Sequence, residues 1–229
     1  MLSEIQKTYS RYIEKPYLLW YLKAKRKYSF EGLKLVIYPG VFHPKYFFST
    51  QVLLNFIKDL PLKNKSFCEP GSGSGLISMI AFKMGANVTC FDSNTIAVKG
   101  LKENFKNNFN DTRENAYHIY ASDLFDNIPP QHFDVMAINP PYFFADASEP
   151  AQQAWYCGKN GEYFEKLFSQ LRKFADQGTK CFMILGDNCE IERIQQIANK
   201  YQIVFNLVHN EKIKWENNSI FKLILAETK

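Results

Sequence analysis

Apolar positions recur along this chain at two spacings, and the spacing changes near residue 65. Near the start, Leu2, Ile5, Tyr9, Tyr12 and Ile13 repeat at helical intervals behind a Ser3/Gln6 capping box, which predicts a short amphipathic helix. "LKLVIY" (33–38) then reads as a strand and Pro39-Gly40 as a turn. Val52, Leu53, Phe56, Ile57 and Leu60 form the apolar side of a helix that Ser49 or Thr50 can cap and Pro61 ends. Beyond residue 65, strands are expected near 65–69, 87–91, 116–120, 133–138 and 180–186, and helices near 74–85, 94–107, 162–176 and 188–200. Such alternation predicts βαβ units, with helices on both faces of a parallel sheet. The end breaks the rhythm. "QIVFNLV" and "SIFKLILAE" are strands in succession, joined by the polar "HNEKIKWENN", so an antiparallel hairpin is expected at one sheet edge.

Two strand ends carry unusual chemistry. In "FCEPGSGSGLISMIAFKMGANVTCFD", Gly71, Gly73 and Gly75 follow a strand and open a helix. Glycines there let the backbone turn sharply and approach a ligand, and open α/β sheets bind ligands at the carboxyl ends of their strands. A dinucleotide fingerprint needs a third glycine at position 76, which is Leu76; the sequence is GxGxG, preceded by Glu69. An acid beside the loop suits an ammonium group rather than a pyrophosphate. Farther on, the apolar run Val135–Ile138 stops at Asn139, Pro140, Pro141 and Tyr142. Two prolines explain the stop, but not the Asn or the Tyr.

Composition narrows the setting. With 229 residues, 46% hydrophobic and 22% charged, one main core is expected, and the apolar runs fall short of a membrane span. The start "MLSEIQKTYSRYIEK" lacks the basic and apolar regions of a signal peptide, which predicts a cytoplasmic protein. Five cysteines without a CxxC spacing and four scattered histidines predict neither a disulfide framework nor a metal site. The net charge of +5 is uneven: residues 1–50 hold nine Lys or Arg against three Glu. "LKAKRKY" (22–28), with Lys23, Lys25, Arg26 and Lys27 between Trp20, Tyr21 and Tyr28, suits either a phosphate backbone with stacked bases or a solvated helix face.

"EPGSGSG", followed by Asp92 closing "VTCFD", Asp123 in "ASDLFD", and "NPPY" after the fourth strand, resembles class I S-adenosylmethionine-dependent methyltransferases. The resemblance implies a Rossmann-like α/β fold, a mostly parallel, twisted, seven-stranded sheet with a C-terminal antiparallel hairpin. It implies S-adenosylmethionine as cofactor, held by Glu69, Gly71, Gly73 and Gly75, by Asp92 at the ribose, by Asp123 and Leu124 at adenine, and by Asn139. Taken one at a time, the aspartates also read as helix caps or turn residues. Residues 1–46 are expected to form a basic, aromatic extension of a helix and short strands, and 47–229 the methyltransferase domain.

In this reading Asn139, Pro140, Pro141 and Tyr142 are the catalytic residues. Amide and exocyclic amine nitrogens are poor nucleophiles because their lone pair is delocalised. The Asn139 side-chain oxygen and Pro140 carbonyl can accept both hydrogens of a planar NH2 group, Pro141 stiffens the turn without a competing N–H, and Tyr142 can stack on the target. The motif fixes a planar NH2 acceptor, not the molecule that carries it. "NPPYFFADASEPAQQAWYCGKNGEYFEKLFSQL", with Gly158 and Gly161, resembles the HemK-type methyltransferases of release-factor glutamines, which favours a protein substrate. Those proteins carry an N-terminal helical domain for which this chain has little room. "PGVFHPKYFFSTQVLL" also resembles the entry segment of small-domain ribosomal-RNA guanine methyltransferases; in both groups this segment packs against the cofactor, so Phe42 and Thr50 would line its methionine end, or else serve as a core aromatic and a helix cap. An rRNA or tRNA adenine-N6 or guanine-N2 methyltransferase is therefore the alternative, and a non-catalytic nucleic-acid-binding module the reading from another class.

Overall fold

The computed structural model describes residues 21, 23–109, 113, 116–147, 150–214 and 216–226. The helix expected at the amino terminus and Trp20 lie outside the described residues. A two-stranded antiparallel sheet comes first, β1 (Arg26–Phe30) paired with β2 (Leu33–Ile37). The segment that admitted a helix-face reading thus turns into a strand at Arg26. Helix α1 (Phe48–Lys58) follows.

The main sheet is built from β3 (Ser66–Pro70), β4 (Asn87–Asp92), β5 (Tyr117–Ala121), β6 (Val135–Ile138), β7 (Lys180–Gly186), β8 (Ile203–Ile213) and β9 (Glu216–Leu225). Its order is β5-β4-β3-β6-β7-β9-β8. The first five are parallel, and β9 enters antiparallel between β7 and β8. Helices α2 (Leu76–Lys83), α3 (Thr95–Phe109), α4 (Glu162–Leu171) and α5 (Ile191–Lys200) connect them. Parallel strands covered on both faces need side chains for two cores. Alternate residues of β7 supply them: Phe182 and Ile184 join a cluster with Leu53, Met79 and Leu101, while Cys181, Met183 and Leu185 join one with Phe164, Leu167 and Ile194.

The small sheet is not a separate body. Leu33, Leu35 and Ile37 belong to the first of these clusters. The edge of β2 is completed by side chains of α3. Asn104 Oδ1 accepts from Val36 N at 2.7 Å and its Nδ2 donates to Val36 O at 3.1 Å, and Asn108 does the same with Lys34 N and O at 2.7 and 2.8 Å. Two asparagines one helical turn apart stand in for a neighbouring strand.

Several boundaries differ from the sequence pattern, among them the end of α4 at Leu171 rather than near 176. Helix α1 begins at Phe48, so Ser49 and Thr50 sit inside its first turn, both buried, and neither caps it. It ends at Lys58, before Pro61. The polar stretch expected to join the last two strands is itself mostly strand, since β8 reaches Ile213 and β9 starts at Glu216. Among the described residues no helix is long and apolar enough to cross a membrane.

Candidate active site

The carboxyl ends of β3, β4, β5 and β6 open onto one cavity of about 600 Å³. The loop after β3 is folded by its own backbone and by β4. Ser72 N donates to Phe91 O at 3.0 Å, Gly75 N to Ser72 O at 2.8 Å, and Gly73 N to Asp92 Oδ2 at 2.9 Å. Gly73 has φ +52°, left-handed and readily adopted by glycine. Gly75 is needed for packing: a Cβ there would lie 2.0 Å from Leu101 Cδ1, so α2 and α3 can meet only at a glycine. Gly71 and Gly73 line the cavity with Glu69, Asp92, Asp123, Leu124, Asn139, Pro140, Pro141 and Tyr142; Gly75 supports it from behind.

Each acid has a distinct setting. Glu69 is buried, accepts from Ser78 N at 2.8 Å and from the Ser78 hydroxyl, and so ties β3 to the first turn of α2. Burial raises its carboxyl to about 8, although the Ser78 bonds act the other way. The second oxygen of Asp92 accepts from Asn94 N at 2.8 Å. Burial raises the Asp92 carboxyl too, against the pull of its two backbone donors. Asp123 is exposed and pairs with Lys166 at 2.6 Å, which also reaches Asp126 at 2.6 Å. Leu124 follows at φ +51°, held by Ser122 Oγ, which donates to its carbonyl at 2.7 Å.

At the end of β6, Asn139 Nδ2 donates to Thr50 Oγ1 at 3.3 Å. Thr50 and Phe42, both suggested by the sequence, line the cavity, with Thr50 acting as a partner of Asn139. Phe42 stacks on Phe47 at 3.8 Å between ring centroids, and Trp155 packs on both at 5.2 and 4.7 Å. These rings join the entry segment to the loop after Tyr142, which is stitched by Phe143 N to Trp155 O at 3.0 Å and Cys157 N to Phe143 O at 2.9 Å. Gly161 then starts α4 at φ +82°; a Cβ there would fall 2.7 Å from Ile197 and 2.8 Å from Phe144. Gly158 leaves room for the Glu162 side chain.

The pattern of the sequence did not reveal Trp155, Tyr163 or Lys166, which line the cavity as well. The Tyr163 hydroxyl is buried and has no hydrogen-bond partner among the described residues. Its phenol is raised by burial first and then by the charges of Asp92 and Asp123. Four acids (Glu69, Asp92, Asp123, Glu162) and one base (Lys166) face this space.

The family model described as "Methyltransferase small domain" matches residues 32–155. A Methanocaldococcus jannaschii protein provisionally named protein N5-glutamine methyltransferase is 36% identical over 185 residues, covering 76% of this chain and 88% of its own length. Among solved structures, the E. cuniculi Mtq2-Trm112 complex, described as responsible for methylation of the eRF1 translation termination factor, superposes with a TM-score of 0.59 at 17% identity. That match covers 82% of this chain and 99% of the other. The T. thermophilus 16S rRNA N2 G1207 methyltransferase, solved with AdoMet and guanosine, gives 0.59 at 15% identity over 86% of this chain and 50% of its own. At these identities the two structures speak to the fold alone.

Proposed function

The chain belongs to the methyltransferase small domain family and is an S-adenosylmethionine-dependent methyltransferase, and from that premise we propose that its acceptor is the side-chain amide of a protein glutamine. The observation that carries the acceptor chemistry is the Asn139–Thr50 contact at the cavity wall. With its nitrogen committed to Thr50, Asn139 keeps its oxygen for an incoming N–H. The protein reading is supported by the 36% identity to the provisionally named glutamine methyltransferase.

The residues present suit the cofactor. A cavity of about 600 Å³ lies within the usual range for small-molecule sites. Asp92, Asp123 and Glu162 outnumber the single base Lys166 and favour a ligand bearing an ammonium and a sulfonium. Glu69 can accept from that ammonium in either protonation state, and the unpartnered Tyr163 hydroxyl keeps a hydrogen bond in reserve at the wall. In this reading Gly71, Gly73 and Glu69 hold the amino-acid end, Asp92 the ribose, and Asp123 with Leu124 the adenine. When bound, S-adenosylmethionine supplies a methyl group on a positively charged sulfur. The chain's own part is placement. Asn139 Oδ1 and the Pro140 carbonyl accept the two amide hydrogens and turn the nitrogen lone pair toward the cavity. As preset acceptors they also stabilise positive charge developing on that nitrogen. Pro141 offers no competing N–H, and Tyr142 covers the planar amide.

The basic stretch, the main argument for RNA, is partly engaged within the protein. Lys25 Nζ contacts Tyr38 Oη at 3.1 Å and Glu103 at 3.4 Å, and the Arg26 guanidinium lies 3.8 Å from the Tyr21 ring centroid. Tyr28 packs edge-on against His43 at 5.4 Å. Incubation with labelled S-adenosylmethionine and cell extract tests the reading. Label is expected in protein, on glutamine after digestion; label in RNA alone would refute it.

A further inference from the structure

A second set of polar groups gathers at the carboxyl end of β7, where β9 lies beside it and Gly186 faces Asn218 in the strand register. A Cβ on Gly186 would lie 2.7 Å from Asn188 Oδ1 and 3.4 Å from Glu216 Oε1, so both side chains converge over a glycine that leaves them the space. Asp187, the next residue, is tied to β9 through its N–H, which donates to Asn217 O at 2.9 Å. Neither Asp187 nor Glu216 has an ion-pair partner among the described residues.

Asn218 adds an independent sign that a ligand group belongs here. Its side chain is 0% exposed, and neither Nδ2 nor Oδ1 has a hydrogen-bond partner among the described residues. Burial first and then the Asp187 charge raise the Glu216 carboxyl, and the neighbouring Asn218 acts the other way. The cluster abuts the acceptor motif. The Tyr142 phenol is raised by burial first and then by the Glu216 charge, while Asn188 acts the other way. A half-buried carboxylate without a counter-charge and an amide without partners are both costly, and a ligand bearing positive charge and several N–H donors relieves both.

We propose that Glu216, Asp187 and Asn218 form a subsite for a basic side chain, arginine or lysine, that flanks the methylated glutamine in the substrate protein. The proposal rests on the protein-acceptor reading above. The same carboxylates repel a phosphodiester, so the subsite sets protein apart from RNA on the Tyr142 side of the site.

The test compares two short glutamine peptides, one with arginines flanking the glutamine and one with glutamates, in steady-state methylation by the full chain. The arginine peptide is expected to show a KM lower by about tenfold or more, in keeping with charge-assisted hydrogen bonds. In Glu216→Gln combined with Asp187→Asn the difference should collapse, and in Glu216→Lys it should reverse. Affinity for S-adenosylhomocysteine and the melting temperature, followed in parallel, should stay unchanged if the variants fold. Equal KM values in the wild type, or a preference that survives the double variant, overturn the subsite while leaving the glutamine reading intact. If neither peptide accepts label while an RNA does, the protein reading falls and the subsite with it.

Discussion

Asn139 gives an amide hydrogen to the hydroxyl of Thr50 at 3.3 Å, across 89 residues of sequence. This contact fixes which end of the Asn139 amide remains available at the cavity. Thr50→Val keeps the shape and removes the acceptor, so the Asn139 amide loses its orienting partner. We expect turnover to fall by about tenfold, the size of one hydrogen bond, with unchanged affinity for S-adenosylhomocysteine. Asn139→Ala, which removes the acceptor oxygen itself, should cost about 10²-fold or more in kcat. Single-turnover kinetics alongside calorimetry separates the two effects; full activity in Asn139→Ala would defeat the proposed role.

Asp92, placed at the ribose in the proposed cofactor site, also holds the glycine loop together. Its two carboxylate oxygens hold Gly73 N and Asn94 N at 2.9 and 2.8 Å. Asp92→Ala leaves both backbone donors without this acceptor, a loss of about 1–3 kcal/mol in stability. Asp92→Asn keeps one acceptor oxygen and should lose less. Both should weaken S-adenosylhomocysteine binding by at least about tenfold, measured by calorimetry. Wild-type affinity in Asp92→Ala would remove Asp92 from the cofactor site.

Glu69 makes stability depend on pH in a definite direction. Its carboxyl titrates at about 8 in the folded chain against an ordinary 4.5, so the folded state holds a proton that the unfolded chain releases. The stability this contributes is fully present below about pH 4.5 and is lost as the pH rises through about 8. Denaturant titrations of the ligand-free protein should show stability falling across this window, with a Glu69 contribution approaching about 1.4 kcal/mol per pH unit. In Glu69→Gln that contribution should vanish. A slope equal to the wild type in the variant would assign the effect elsewhere.

Much of this site was legible because its parts lie at the ends of apolar runs. Asp92, Asp123 and Asn139 each close or follow a strand, and parallel neighbours bring those ends to one edge of the sheet. Gly75 was legible as part of the loop, but its contact with Leu101 was not, since nothing local records a helix packing close by. Trp155, Tyr163 and Lys166 reach the cavity through tertiary packing, which no short pattern encodes. Strand β1 was hidden because Arg26 and Lys27 read as a charge run, while the strand is paired on one side only and tolerates charge. The polar residues of β8 and β9 misled for a related reason. β8 is an edge strand with Val204 and Leu207 exposed at 52% and 53%, so apolar alternation is a poor guide to its length.

Asn104 and Asn108 provide a matched pair for asking whether the small sheet serves the site. Both complete the edge of β2, but only Asn104 also donates to Ser74 O, at 3.1 Å, inside the glycine loop. Asn104 is fully buried, so Asn104→Ala leaves the buried Ser74 carbonyl and the part-buried Val36 N–H and C=O without their partner. A loss of about 2–4 kcal/mol is expected, from one to two buried groups left unpaired. Asn108→Ala disrupts a more exposed pairing with Lys34 and should cost about 1 kcal/mol. Binding of S-adenosylhomocysteine tells the roles apart: it should weaken several-fold in Asn104→Ala, through the loosened Ser74, and stay unchanged in Asn108→Ala. Equal affinity in the two variants would mean that the β2 edge supports the core without reaching the glycine loop.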